Sequence, residues 1–353
     1  MALYDLLAIG LVEKDNNGDS LYVWSYPSVT SDLQEKFLQR SNMATDSSPC
    51  IQFLYSQTSH LWYYIFTNQV QQPCQNLAKV RFVSLILITK DFQPEKYKAL
   101  CELLLMSYLK SGDPIEILKL YLSVITKGSC ASGNNSSFSV SDFSQRQAYA
   151  KADLRSVIES FAVETILIYT ALMLKKHVVV YHPNIEELLH FMRSLPGLVW
   201  HRQDWSIVIP FITLDNQEVN LDLKGRSSYV AGFTDASIQN RTDLYDLMIN
   251  LQSCEITVAP SAKESLALGK LHKEIAMFMV QCAGDVQLSN QQVIKEISDK
   301  TKELLNNIKA FSVPDEETGK PYITMELLQS RKMPKTTENF LYSLSVCEGM
   351  VKL

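Results

Sequence analysis

The residue types that carry covalent or metal chemistry are present, but they do not fall at the spacings such chemistry needs. Six histidines (60, 177, 182, 190, 201 and 272) include no H-E-x-x-H pair. His177 and His182 lie five apart on one strand-like run and so point to opposite faces of it. Glu186 and His190 are neighbours on a helix, and a lone pair of that kind is a solvated contact rather than a metal centre. Seven cysteines form no C-x-x-C and no regular framework, which fits reduced thiols. No serine sits in G-x-S-x-G. Neither G-x-x-x-x-G-K-[ST] nor G-x-G-x-x-G after a strand occurs, so neither usual phosphate cradle is visible. Nothing in the sequence supports covalent, metal or cofactor catalysis, and no cofactor is expected. With 33 basic against 38 acidic residues the formal charge is -5, which argues against nucleic acid as a partner.

The elements that would position any site are clearly written. The chain has 353 residues, 46 % hydrophobic and 20 % charged, a composition that folds, at a length that suggests about two domains. Its apolar start carries Asp5, has no basic n-region and shows no cleavage pattern, so a first strand is expected there rather than a signal peptide. No stretch reaches the ~18 unbroken apolar residues of a transmembrane segment; the nearest, Phe161 to Leu174, carries Glu164.

Over residues 1–127 the order β-β-α-β-β-β-α-α is expected. A hairpin turns at Asp15–Asp19, and a capping box of Ser31 and Gln34 opens the first helix. Three strands follow at 51–55, 61–66 and 80–89. Helices then run from Pro94 and from Ile115. Residues 128–147 are small and polar, with too little apolar surface to offset ordering, and read as a flexible linker.

The module from 154 to 233 organises the rest. Leu154 to Leu174 reads as one helix, amphipathic at first and then apolar all round, hence a core helix. A buried strand at 178–181, a helix at 185–195, and strands at 205–211 and 228–233 complete an α/β pattern over 148–260. A strand pair (244–249 and 255–258) closes it. A helical region spans 261–353: a long helix opened by Ser261 and Glu264, a second from Ser289, a polar loop at 314–319 and a short final helix. The second helix carries Ile294, Ile297, Thr301, Leu304, Ile308 and Phe311. That stripe is too short for a partner-binding coiled coil and is expected to pack on its own domain.

Three blocks carry a resemblance. They are LMLKKHVVVY at 172–181, VWHRQDWSIVIPF at 199–211 with Trp205, Ile209 and Pro210, and SYVAGF at 228–233, where Ser228 stands for the usual proline. They resemble the DENN-domain family, whose members join a longin lobe to a DENN lobe, and the resemblance covers nearly the whole chain. It implies a bilobed α/β protein: a longin-like α-β-α lobe, then a DENN α/β lobe with C-terminal helices.

It also implies a Rab-family small GTPase as partner, with its switch regions bound in the groove between lobes, and a guanine-nucleotide exchange factor in endosomal membrane traffic. Such a protein would be cytoplasmic and held on endosomal membranes through partners. Exchange needs no nucleophile, because the catalyst only favours one GTPase conformation over another. Two alternatives stand beside it. One is a non-catalytic subunit of a multi-subunit endosomal sorting complex. The other is a GTPase-activating protein in which Arg81, ahead of the 82–89 strand, acts as an arginine finger. Candidate GTPase contacts are Arg81, Arg202 and Arg226, each in a loop or at a strand entrance.

Overall fold

The computed structural model describes residues 2–41, 52–71, 74–132, 136–144, 148, 151–314 and 321–351. The chain divides into two units, Met1–Ala150 and Lys151–Leu353.

The first unit is built on a five-stranded antiparallel sheet. Its strands are β1 (Leu6–Asp15), β2 (Ser20–Tyr26), β3 (Phe53–Thr58), β4 (Leu61–Gln69) and β5 (Val80–Thr89), in the order β2-β1-β5-β4-β3. Alternation along β4 loads both faces. Tyr63 meets Phe37 of helix α1 (Ser31–Ser41) edge-on at 5.5 Å, while Tyr64 meets Tyr97 of α2 (Pro94–Ser111) at 4.7 Å. Helix α3 (Pro114–Lys127) packs on α2, and Gly112, left-handed at φ 63°, closes α2 by donating to the Tyr108 carbonyl.

Two local expectations fail here. Ser31 is the first helical residue of α1 rather than its cap, and the Gln34 side chain donates back to the Val29 carbonyl. The stretch expected as a linker also has structure. Within it β6 (Ser129–Ser132) and β7 (Ser136–Ser139) pair as a hairpin that buries Cys130 and Phe138 against α2 and α3. Two apolar side chains among many small ones suffice, because the helices already offer an apolar surface to receive them.

The second unit carries another five-stranded sheet. Helices α4 (Leu154–Phe161) and α5 (Thr165–Met173) lead into β8 (His177–Tyr181) and α6 (Ile185–Ser194). Then follow β9 (Val208–Ile209), α7 (Asn216–Asp222), β10 (Tyr229–Phe233), β11 (Leu247–Asn250) and β12 (Glu255–Val258). The order is β12-β11-β8-β10-β9, parallel except for the edge strand β12. Both faces are covered, which is why β8 and β10 read as continuous apolar runs. Gly232 on β10 lies so close to the Pro210 carbonyl that a Cβ there would stand 2.2 Å from the oxygen.

Helices α8 (Lys270–Gly284), α9 (Asn290–Lys309), α10 (Met325–Gln329) and α11 (Lys335–Cys347) belong to this same compact unit. The α9 stripe faces inward: Ile294, Ile297, Thr301, Leu304 and Ile308 are buried, and Thr301 hydrogen-bonds Tyr169 at 3.0 Å.

The helix expected over 154–174 is broken. A 3-10 turn at Ala162–Glu164, with Ala162 at φ 45°, separates α4 from α5. Leu154–Met173 has the length and composition to cross a membrane, but its apolar side chains are mostly consumed by the protein interior. The strand expected at 205–211 shrinks to two residues, since Val208 first closes a turn on the Trp205 carbonyl and Pro210 ends the ladder. The helix expected from Ser261 begins only at Lys270, after a 3-10 turn at Pro260–Ala262. Of the loop expected at 314–319, only Pro314 lies within the described residues.

Candidate functional site

The three arginines fall in different surroundings. Arg81 is the second residue of β5 and half-buried; its guanidinium lies 5.2 Å above the Phe82 ring, and its carbonyl accepts from the Val70 N–H at 2.9 Å. That places it beside a groove of about 570 Å³ formed where the end of β4 meets the outer side of α2. Asn68, Val70, Cys74, Met106, Leu109 and Lys110 line the groove. Met106 is 49 % exposed, on the side of α2 away from its core face. An exposed methionine and a lysine lining a groove make a surface suited to a protein partner.

Arg202 is committed to the fold. Its side chain is 13 % exposed, and it donates to the Leu172 and Met173 carbonyls at 2.7 and 2.6 Å. Both carbonyls lie in the last turn of α5, where a cation suits the helix dipole, and that of Leu172 also accepts from the Lys175 N–H at 3.2 Å. The same guanidinium binds Glu348 through Nε at 3.0 Å and Nη2 at 2.5 Å, and His201 Nε2 stands 3.3 Å from the same carboxylate oxygen. Burial opposes the charged carboxylate, but the bonds from His201 and Arg202, together with the Arg202 charge, hold Glu348 at about 2. Arg202, expected as a GTPase contact, thus has its donors engaged by a helix end and by the C-terminal segment.

Arg226 donates to the Ser206 carbonyl at 2.8 Å, and its own carbonyl lies 3.3 Å from His177 Nε2. Burial lowers the pKa of its guanidinium, against the pull of Asp222. It ties the β9 and β10 entrances together from a half-buried position.

Other polar groups that could carry chemistry are likewise absorbed. At the carboxyl ends of the parallel strands, where open α/β sheets bind ligands, Asn184, Asp215 and Asp235 each cap the helix that follows. Glu186 and His190 are both exposed. In the first unit, buried Lys96 pairs with Asp91 at 2.6 Å, and the Tyr97 hydroxyl donates to the same carboxylate. Burial and that acceptor both push the Tyr97 phenol upward, so it stays neutral. On α4, Arg155 reaches the carbonyls of Ala283, Asp285 and Leu288 and so fastens the α8–α9 corner. Among the described residues no three His, Cys, Asp or Glu side chains gather as a metal site.

Sequence reasoning missed Arg155, Glu348 and the Met106 groove. Arg155 sits on the polar side of an amphipathic helix, and Glu348 is an isolated acid near the end; neither has a local signal. Met106 had one, since it stands off the Tyr97, Leu100, Cys101, Leu104, Tyr108 face of α2.

Comparison with known proteins gives the context. Residues 151–260 match the family model described as "SPA: Stabilization of polarity axis", which begins where the second unit begins. Three proteins called "DENN domain-containing protein 10" are similar along almost their full length. That of Danio rerio is 46 % identical over 99 % of this chain and 98 % of that protein. The Homo sapiens protein is 42 % identical over 99 % and 97 %. The Dictyostelium discoideum protein is 35 % identical over 97 % of each.

Proposed function

Because the chain belongs to the DENN domain-containing protein 10 family, a branch of the DENN proteins, we propose that it binds Rab small GTPases and promotes release of their bound guanine nucleotide in endosomal membrane traffic. The observation that carries this is the full-length similarity to DENN proteins, a family generally linked to Rab exchange. The physical chemistry agrees with it. An exchange factor works by binding the nucleotide-free form of the GTPase more tightly than the loaded form, so it needs a surface and not a nucleophile. The groove beside Arg81 supplies a surface of suitable kind on the first unit, with Met106 as an apolar anchor and Lys110 as a cation in its lining. Endosomal residence would then follow from the GTPase and other partners.

The test is release of fluorescent GDP from a panel of Rab proteins. Catalytic amounts of the full chain are expected to accelerate release from at least one member; no acceleration from any member refutes exchange. The reading as a GTPase-activating protein is tested alongside with Arg81→Ala: hydrolysis unchanged by that substitution removes it. The reading as a non-catalytic sorting subunit loses the α9 stripe as a docking surface, since that stripe is buried in the second unit.

A further inference from the structure

Sheet edges are hazards, and proteins blunt them with charge, proline or cover. The two edges of the first unit's sheet differ in this respect. β3 is buried from Leu54 onward. β2 is open: Leu21 is 66 %, Val23 38 % and Tyr26 41 % exposed. Its sequence, SLYVWSY, has no charge and no proline across Ser20–Tyr26, and five of its seven residues are aromatic or aliphatic. Apart from an irregularity at Val23, nothing in the strand discourages another strand from pairing with it.

The pairing of β2 with β1 shows which strand fits. A bulge between Leu11 and Val12 sets Trp24 opposite Leu11 and Tyr22 opposite Val12, so the alternation of β2 shifts by one at Val23. Cross-strand partners share a face. Leu21, Trp24 and Tyr26 therefore lie on the side of Glu13, Leu11 and Ile9, the side of α2 and α3, where Tyr26 meets Tyr121 at 5.9 Å and Tyr108 binds Glu13 at 2.5 Å. Tyr22 and Ser25 lie on the other side, where the Tyr22 ring covers Gly10.

Now place a second β2 antiparallel to the first, with the two-fold axis between Val23 and Trp24. Leu21 then faces Tyr26 of the other copy and Tyr22 faces Ser25, and both of these pairs share a face. The two most exposed side chains of the strand become each other's partners. No charge meets itself across the axis, as a like-charge pair would destabilise the seam. The acidic turn holding Asp15 and Asp19 lies at opposite ends of the seam, whereas parallel pairing would set the two turns side by side.

From this we infer that β2 is a self-association edge, through which two copies of the chain join their first-unit sheets into one ten-stranded antiparallel sheet. The strand is short, so the seam buries roughly half of the ~800 Å² per partner of a stable complex, and the dissociation constant is expected in the micromolar range, ~1–100 μM.

Sedimentation equilibrium of the full chain over about that range tests it. The apparent mass should rise from 40.1 kDa toward twice that value. Val23→Lys should hold the chain at the monomer mass with the wild-type circular dichroism spectrum and melting temperature. Leu21→Lys, at a more exposed position, makes the same test should Val23→Lys fail to fold. The Leu21→Cys/Tyr26→Cys double variant should form a disulfide-linked dimer on oxidation that wild type does not, because the two sites on one strand are too far apart to join each other. A wild-type monomer throughout overturns the inference, including the case in which it captures an added extended peptide at β2. A dimer that survives both lysine variants, or that the cysteine pair fails to cross-link, overturns it equally.

Discussion

The sharpest prediction concerns the Arg202–Glu348 clamp, because sequence and structure assign that arginine different work. In the folded chain Glu348 titrates at about 2, against 4.5 for an ordinary glutamate. A carboxylate held that far below its ordinary value is worth about 3 kcal/mol. The sign follows from the direction. A carboxylate held below its unfolded value adds stability that is fully present above pH 4.5 and is lost as pH falls toward 2.

Both partners are about five-sixths buried, at 13 % and 16 % exposure, so solvent screening removes little of this. Arg202→Ala additionally strands the Met173 carbonyl, takes a donor from that of Leu172 and leaves a largely buried carboxylate with only His201, so its cost is expected at about 3–5 kcal/mol. The assay is urea unfolding at pH 7, monitored by circular dichroism, with the double-variant cycle Arg202→Ala and Glu348→Ala; the coupling between them should be about 1–3 kcal/mol. Repeated at pH 3, the Glu348→Gln variant should lose less stability than wild type. The reasoning is refuted if Arg202→Ala costs under about 1 kcal/mol. It is refuted more pointedly if that variant stays stable yet no longer binds a Rab protein that wild type binds, for the arginine would then be a contact and not a clamp.

Three further outcomes follow from the packing. Gly232→Ala drives a Cβ into the Pro210 carbonyl and against Leu188, and should lower stability by about 1–3 kcal/mol, read as a lower melting temperature. Asp91→Ala, which strands a buried Lys96, should destabilise the first unit by about 3–5 kcal/mol, and more than Lys96→Met, which leaves Asp91 its tyrosine donor. Hydrogen exchange along β5 and α2 would report both. Met106→Asp at the rim of the first-unit groove should weaken Rab binding at least about tenfold while leaving the melting temperature unchanged, as befits an exposed apolar anchor.

What the sequence determined by itself was the inventory of elements and the faces they bury. Tyr63 beside Tyr64 on β4, the VVV run of β8 and the α9 stripe each state, within a few residues, which side must leave water. Hydrophobic periodicity is a local property, so it survives in a linear string. The resemblance in the 172–233 blocks was legible for the same reason, since those residues form strands and turns.

Tertiary structure decided what periodicity cannot carry. Ala162 breaks an apolar run that reads as one helix, because its neighbours must turn to pack α4 and α5 separately. Within the stretch read as a linker, β6 and β7 pair because α2 and α3 already present a surface for Cys130 and Phe138. The roles of the arginines depended on it most. Arg155 and Arg202 look no different in sequence from Arg81, yet each answers carbonyls or a carboxylate about 130 to 146 residues away. A charged side chain's work is fixed by the partner that reaches it, and for these residues that partner comes from a distant part of the chain.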